Sequence, residues 1–159
     1  MKTFWLLPIV LVLAGAPVSN DEAAAAPDNS IVQRVMEANQ RMTAAANRLD
    51  TDAFFACIID SDESRIIQNG KLFKTRAEAM AAVRRGSQGI AKLERIFDQP
   101  QVSVLAPGVA LLTAEGSTSG TLQDGRTIQN RFAVSLVFVL RDGQWKLFHG
   151  HYSLPNPTP

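Results

Sequence analysis

Three side chains in the second half of the chain could share acid–base work: Glu115, His149 and His151. The histidines are the only two in 159 residues. They stand two positions apart, a spacing that puts both on one face of a strand. A carboxyl group raised by burial, beside an imidazole that titrates near neutrality, can give and take a proton in one pH range. Glu115 and His151 are therefore the catalytic candidates, for proton transfer supporting isomerisation, cyclisation or dehydration. With His149 they would offer three metal ligands. Zinc wants its donors at about 2 Å, and apolar residues intervene, so neither a metal nor another cofactor is expected.

Composition narrows the alternatives. Apolar residues make up 46% and charged residues 19%, enough for one packed domain. Sixteen Lys and Arg against fifteen Asp and Glu give a net charge of +1. Nucleic-acid binding is not expected, because it needs a basic stripe to displace counterions. Cys57 is the single cysteine, so no disulfide framework forms. Within FFACII it reads as a buried, inert thiol. No GxGxxG, Walker loop, GxSxG or HExxH occurs, which removes the usual support for nucleotide or hydrolase chemistry.

The elements that must position these residues follow from periodicity and punctuation. Ser30 with Gln33 has capping-box spacing. Ile31, Val35, Met42, Ala46 and Leu49 then recur at helical spacing, predicting a long helix over 31–49. Asp50 or Thr51 caps a short helix carrying Phe54, Phe55 and Ile58. A strand at 64–68, an Asn69-Gly70 turn and a strand at 71–73 make a hairpin. Thr75 with Glu78 caps a third helix that stops at Gly86. Four β runs follow near 91–105, 109–122, 126–141 and 144–153, parted by Pro107-Gly108, Asp124-Gly125 and Asp142-Gly143. The fold class is α+β: helices on one face of a curved antiparallel sheet.

Tight turns at Asp124-Gly125 and Asp142-Gly143 predict the register. His151 then faces Val134, His149 faces Leu136, and Glu115 faces Val134 from the other side. Glu115 and His151 flank Val134 with backbones about 10 Å apart, two strand spacings. That face, closed over by helices, would form a pocket with an apolar floor and a few polar groups. Its expected ligand-binding residues are His149, Asn130, Thr113, Asp98, Phe132, Leu136 and Phe54. The opposite face carries Ala110, Leu112, Ala114, Arg131, Ala133, Val137 and Tyr152. Small and apolar, it is expected to meet a second copy of the chain. Arg84, Arg85, Lys92 and Arg95 form a basic cluster, read as a solvated face.

Residues 1–26 read as an export signal and linker, and 27–159 as the domain. Lys2 precedes an apolar run from Phe4 to Leu13, and small residues follow at 14–16. The run is shorter than the ~20 residues of a membrane span. Cleavage after Ala16 or within Ala23–Ala26 fits small-residue rules. The mature protein is expected to be periplasmic or secreted, meeting a membrane only during export.

The run IIQNGKLFKTRAEAM resembles the strand–turn–helix segment of the SnoaL-like and nuclear transport factor 2-like superfamily. The closing run FVLRDGQWKLFHGHYS resembles that superfamily's last hairpin. It is similar above all to the association domain of calcium/calmodulin-dependent kinase, which also ends in an RDG turn, a Trp and an H-x-H. The resemblance covers about residues 31–154. It implies a cone of curved, cystatin-like sheet wrapped round a long helix with two shorter ones, often dimeric. It implies no single chemistry, since this superfamily holds isomerases, cyclases, dehydratases and assembly modules. The isomerase carboxylate would fall on residues 65–68, which read Arg-Ile-Ile-Gln and hold no base. The association domain's pocket arginines fall roughly on Glu115 and Leu136. Two readings result: an exported domain binding a small, largely apolar molecule in its cone, with proton-transfer chemistry, or a non-catalytic dimeric association module.

Overall fold

The computed structural model describes residues 29–155. Residues 1–28, which include the segment expected to be an export signal and linker, and residues 156–159 lie outside them. Helix α1 spans Asn29–Asn47, so Ser30 lies inside the helix instead of capping it. Its buried stripe is Val35, Ala38, Asn39, Met42 and Ala45. The helix ends where Leu49 turns left-handed (φ 58), which lets the Asp50 N–H donate to Ala45 O at 3.0 Å. Asp50 then caps helix α2 (Thr51–Ala56), its carboxylate accepting from the Ala53 N–H at 2.9 Å.

Strands β1 (Arg65–Gln68) and β2 (Lys71–Phe73) form the predicted hairpin. Asn69 (φ 53) and Gly70 (φ 74) are both left-handed, as this turn requires. Thr75 caps helix α3 (Arg76–Gly86), accepting from the Glu78 N–H at 3.1 Å. The reciprocal bond of the box is displaced by one residue: Glu78 Oε2 accepts from Lys74 N.

Strands β3 (Ile90–Ala106), β4 (Val109–Leu122), β5 (Thr127–Arg141) and β6 (Gln144–Ser153) complete one six-stranded sheet, ordered β2-β1-β6-β5-β4-β3. Every neighbouring pair is antiparallel except β1 and β6, which run parallel. The curved, unclosed sheet wraps α1, with Leu112, Leu136, Phe138, Leu147 and Val35 fully buried between them. Each such side chain contributes about 1.5–3 kcal/mol by leaving water.

Two local features overturn the predicted register. Between β4 and β5 a three-residue loop, Gln123 to Gly125, is closed by Leu122 N donating to Arg126 O at 2.8 Å, with Gly125 left-handed (φ 85). Glu115 therefore pairs with Ala133, and Thr113 with Ser135. In β6 the pairing starts as predicted, Leu140 with Trp145 and Phe138 with Leu147. A bulge at Phe148 then shifts it by one, so His149 pairs with Val137 and His151 with Ser135. Each shift moves the following side chains to the other face of the sheet. The concave face is Ala110, Leu112 and Gly116, then Phe132, Val134, Leu136 and Phe138, then Trp145, Leu147, Gly150 and Tyr152.

Candidate functional site

The concave face and the helices enclose a cavity of about 580 Å³, within the usual range for small-molecule sites. Its walls come from the end of α1, from α2 and α3, from the β1–β2 hairpin, and from the starts of β3 and the end of β6. Phe54, Ile66, Phe73, Val83, Leu93 and Leu147 supply apolar lining. Phe54 is the one predicted ligand-binding residue that lines it. Phe132 and Leu136 share the concave face but are buried in the core, 6% and 0% exposed.

The remaining candidates leave the cone. Glu115, Thr113, His149 and His151 lie on the convex face because of the two register shifts. Asp98, paired with Glu115, is convex as well. Asn130 has the parity of Phe132 but sits in an exposed stretch of β5. Glu115 and His151 are thus not gathered over Val134. Instead, Arg131 donates to Asp98 at 2.8 Å and to Glu115 at 3.3 Å in an exposed ion-pair group. These partners raise the Arg131 pKa, the Asp98 hydrogen bond most. Burial pushes the His149 imidazole below its ordinary value, and His151 adds to this. No group of three or more His, Cys, Asp or Glu stands ready for a metal among the described residues.

Arg95 and Tyr152 are in the cavity wall, and the sequence reading placed both elsewhere. Tyr152 was expected on the outer sheet face; the Phe148 bulge turns it inward. Arg95 belongs to the basic cluster that the sequence suggests is solvated; alternation along β3 puts it inward with Leu93 and Phe97, while Lys92, Glu94 and Ile96 face out. That alternation, an arginine midway between two inward apolar residues, was the available signal. Of the rest of the cluster, Arg84 pairs with Asp52 at 2.6 Å, and Arg85 and Lys92 are exposed.

Local structure holds the arginine in place. Asn47, the last residue of α1, accepts from Arg95 N at 2.8 Å and donates to Arg95 O at 3.4 Å. The guanidinium carbon lies 5.5 Å from the Tyr152 ring centre and 5.9 Å from that of Phe132, close enough for cation–π attraction. The Phe132 ring meets Phe97 edge-on at 5.4 Å. Arg95 Nε and the Tyr152 hydroxyl are enclosed without a hydrogen-bond partner. Burial pushes the Tyr152 phenol up, and the Arg95 charge offsets part of that rise. Asp50 and Lys71 stand in the wall at exposed positions, and Asp50 is engaged as the α2 cap. The arrangement offers the Arg95 and Tyr152 donors over an apolar body, and its one carboxylate, Asp50, holds the α2 cap. Cys57, its Sγ 3.5 Å from Ala53 O, has its thiol pKa pushed up by burial, in keeping with an inert group.

A SnoaL-like domain model matches residues 35–157. Among solved structures, a nuclear transport factor 2-like protein from Salmonella enterica superposes with a TM-score of 0.72 at 18% identity, covering 82% of this chain and 95% of that one. A Streptomyces avermitilis protein assigned as a dehydratase of the nuclear transport factor 2-like family gives 0.71 at 18%, covering 81% and 99%. A Xanthomonas campestris protein assigned as a calcium/calmodulin-dependent kinase association domain gives 0.68 at 13%, covering 85% and 93%. No curated protein matches. The last likeness accords with the resemblance of the closing hairpin, and on the match over residues 35–157 the chain belongs to the SnoaL-like domain family.

Proposed function

We propose that the protein binds a small, largely apolar molecule in its cone. The cavity of about 580 Å³ carries this reading: its lining is mostly apolar and interrupted by a few polar groups, as in small-molecule sites generally. Proton-transfer chemistry by Glu115 and His151 finds no support in the geometry, since both point away from the cone. Binding without turnover fits better a wall whose one carboxylate, Asp50, holds the α2 cap. Titration with N-phenyl-1-naphthylamine, which fluoresces in apolar surroundings, tests the reading. A saturable rise that an Ala82→Phe variant abolishes, Ala82 being in the wall, supports it. A wild-type signal no higher than that of the variant overturns it.

The apolar run at 4–13 supports export to the periplasm or beyond. Among the described residues no helix is long and apolar enough to cross a membrane. The convex face supports association with a second copy, with one change from the sequence reading. It presents Ile96, Leu111, Ala133 and Val137 beside the Asp98–Arg131–Glu115 group, in place of Ala110, Leu112 and Ala114. Ile96 is half exposed there. Native mass spectrometry at low micromolar concentration checks this; a monomer alone would contradict it.

A further inference from the structure

We infer that the cone's ligand carries a singly charged oxyanion head, a carboxylate in its best-fitting form, seated between Arg95 and the Tyr152 hydroxyl. The inference rests on the cone being a binding site and adds what that site selects. Its basis is a charge and two donors without partners. Arg95 takes part in no ion pair and in no side-chain hydrogen bond among the described residues, and its Nε is enclosed. The Tyr152 hydroxyl is likewise enclosed and unbonded. Leaving buried donors unpaired is costly, and the aromatic faces of Phe132 and Tyr152 compensate the arginine only in part. A ligand acceptor placed between the two would satisfy both.

The charge of that acceptor follows from the wall. Arg95 and Lys71 are its cations and Asp50 its carboxylate, leaving one net positive charge. Lys71 lies over the Phe73 ring at 5.2 Å, in an exposed position, so water already solvates it. A monoanion balances Arg95, whereas a dianion would bring an uncompensated charge into an apolar enclosure. A planar guanidinium takes a carboxylate through two parallel bonds, and the phenol gives a third. The rings at the wall suit an aromatic or alicyclic body behind the head.

A matched pair of competitors tests the head group. Naphthalene-2-carboxylate and naphthalene-2-carboxamide share one body and differ in charge. Each is titrated against N-phenyl-1-naphthylamine bound to the wild-type protein, to Arg95→Met and to Tyr152→Phe. The wild type should prefer the carboxylate over the amide by about tenfold or more, the usual range for a charge-assisted hydrogen bond. Arg95→Met, similar in bulk, should abolish the preference while the reporter still binds. Tyr152→Phe should reduce the preference severalfold and guards against a misfolded Arg95 variant. Reporter binding with equal competition by the two naphthalenes would overturn the head-group inference alone. Absence of reporter binding to the wild type would overturn the cone as a binding site, and the inference with it.

Discussion

Substituting Gly116 by alanine should damage the fold out of proportion to one methyl group. An added Cβ would lie 2.3 Å from Ile96 O and 2.4 Å from Phe132 Cζ. Ordinary carbon–carbon contact is about 3.5 Å or more, so the ring would have to retreat by about 1.1 Å. It has nowhere to go, being 6% exposed and set against Phe97 at 5.4 Å and Tyr152 at 6.5 Å. Ile96 O is backbone of the neighbouring strand and cannot rotate aside. The cost should stand at the upper end of overpacking, about 3 kcal/mol, or a fall in Tm of roughly 10 °C for a domain of this size. Gly120 provides the control. It occupies the same strand and face, yet its added Cβ meets nothing within 4 Å. Gly120→Ala should be neutral or raise stability by about 0.5 kcal/mol through the unfolded chain. Thermal unfolding followed by circular dichroism reads both. Equal Tm values for the two variants would refute the inward placement of Gly116, and with it the β4–β5 register.

Further expectations concern the helix cap, the titrating groups and the exposed ion pairs. Thr75→Ala removes the α3 cap and should cost about 1 kcal/mol, read as a shift in the urea midpoint at unchanged slope. Tyr152 is the one tyrosine in the chain, so absorbance near 295 nm follows its ionisation alone; the native midpoint should lie above the ordinary value of 10.0. Its folded pKa being raised, the unfolded chain loses the proton first, and stability should decline as pH climbs past about 10; a decline equally steep in Tyr152→Phe would contradict this. By NMR the His149 imidazole should titrate below the ordinary 6.5. Glu115→Gln should leave Tm and reporter binding unchanged, because the Glu115–Arg131 pair is exposed; loss of reporter binding would return Glu115 to the site.

The element order was legible because each boundary carries its own chemistry. Asp50 and Thr75 accept from the first turns of α2 and α3, and Asn69-Gly70 and Asp142-Gly143 both adopt the left-handed geometry those dipeptides favour. Asp124-Gly125 is the instructive failure. The same dipeptide type here closes a three-residue loop, with only Gly125 left-handed, and a single residue of loop length exchanges the faces of β4. The Phe148 bulge has no compositional mark, yet it turns both histidines outward and Tyr152 inward. Alternation of burial fixes which residues share a face within an uninterrupted strand, but it cannot carry parity through a bulge. Both reversals of face therefore fall on the strands that carry Glu115, His149 and His151. Residues on β5, which no irregularity interrupts, were placed correctly at Phe132, Val134, Leu136 and Phe138.

A crystal structure of the protein soaked with naphthalene-2-carboxylate tests the central claim most directly. The account predicts the ring system among Phe54, Val83 and Leu93, with the carboxylate within hydrogen-bond distance of Arg95 and the Tyr152 hydroxyl. A cone filled by its own side chains, or the ligand bound on the convex face by Glu115 and His151, would contradict it.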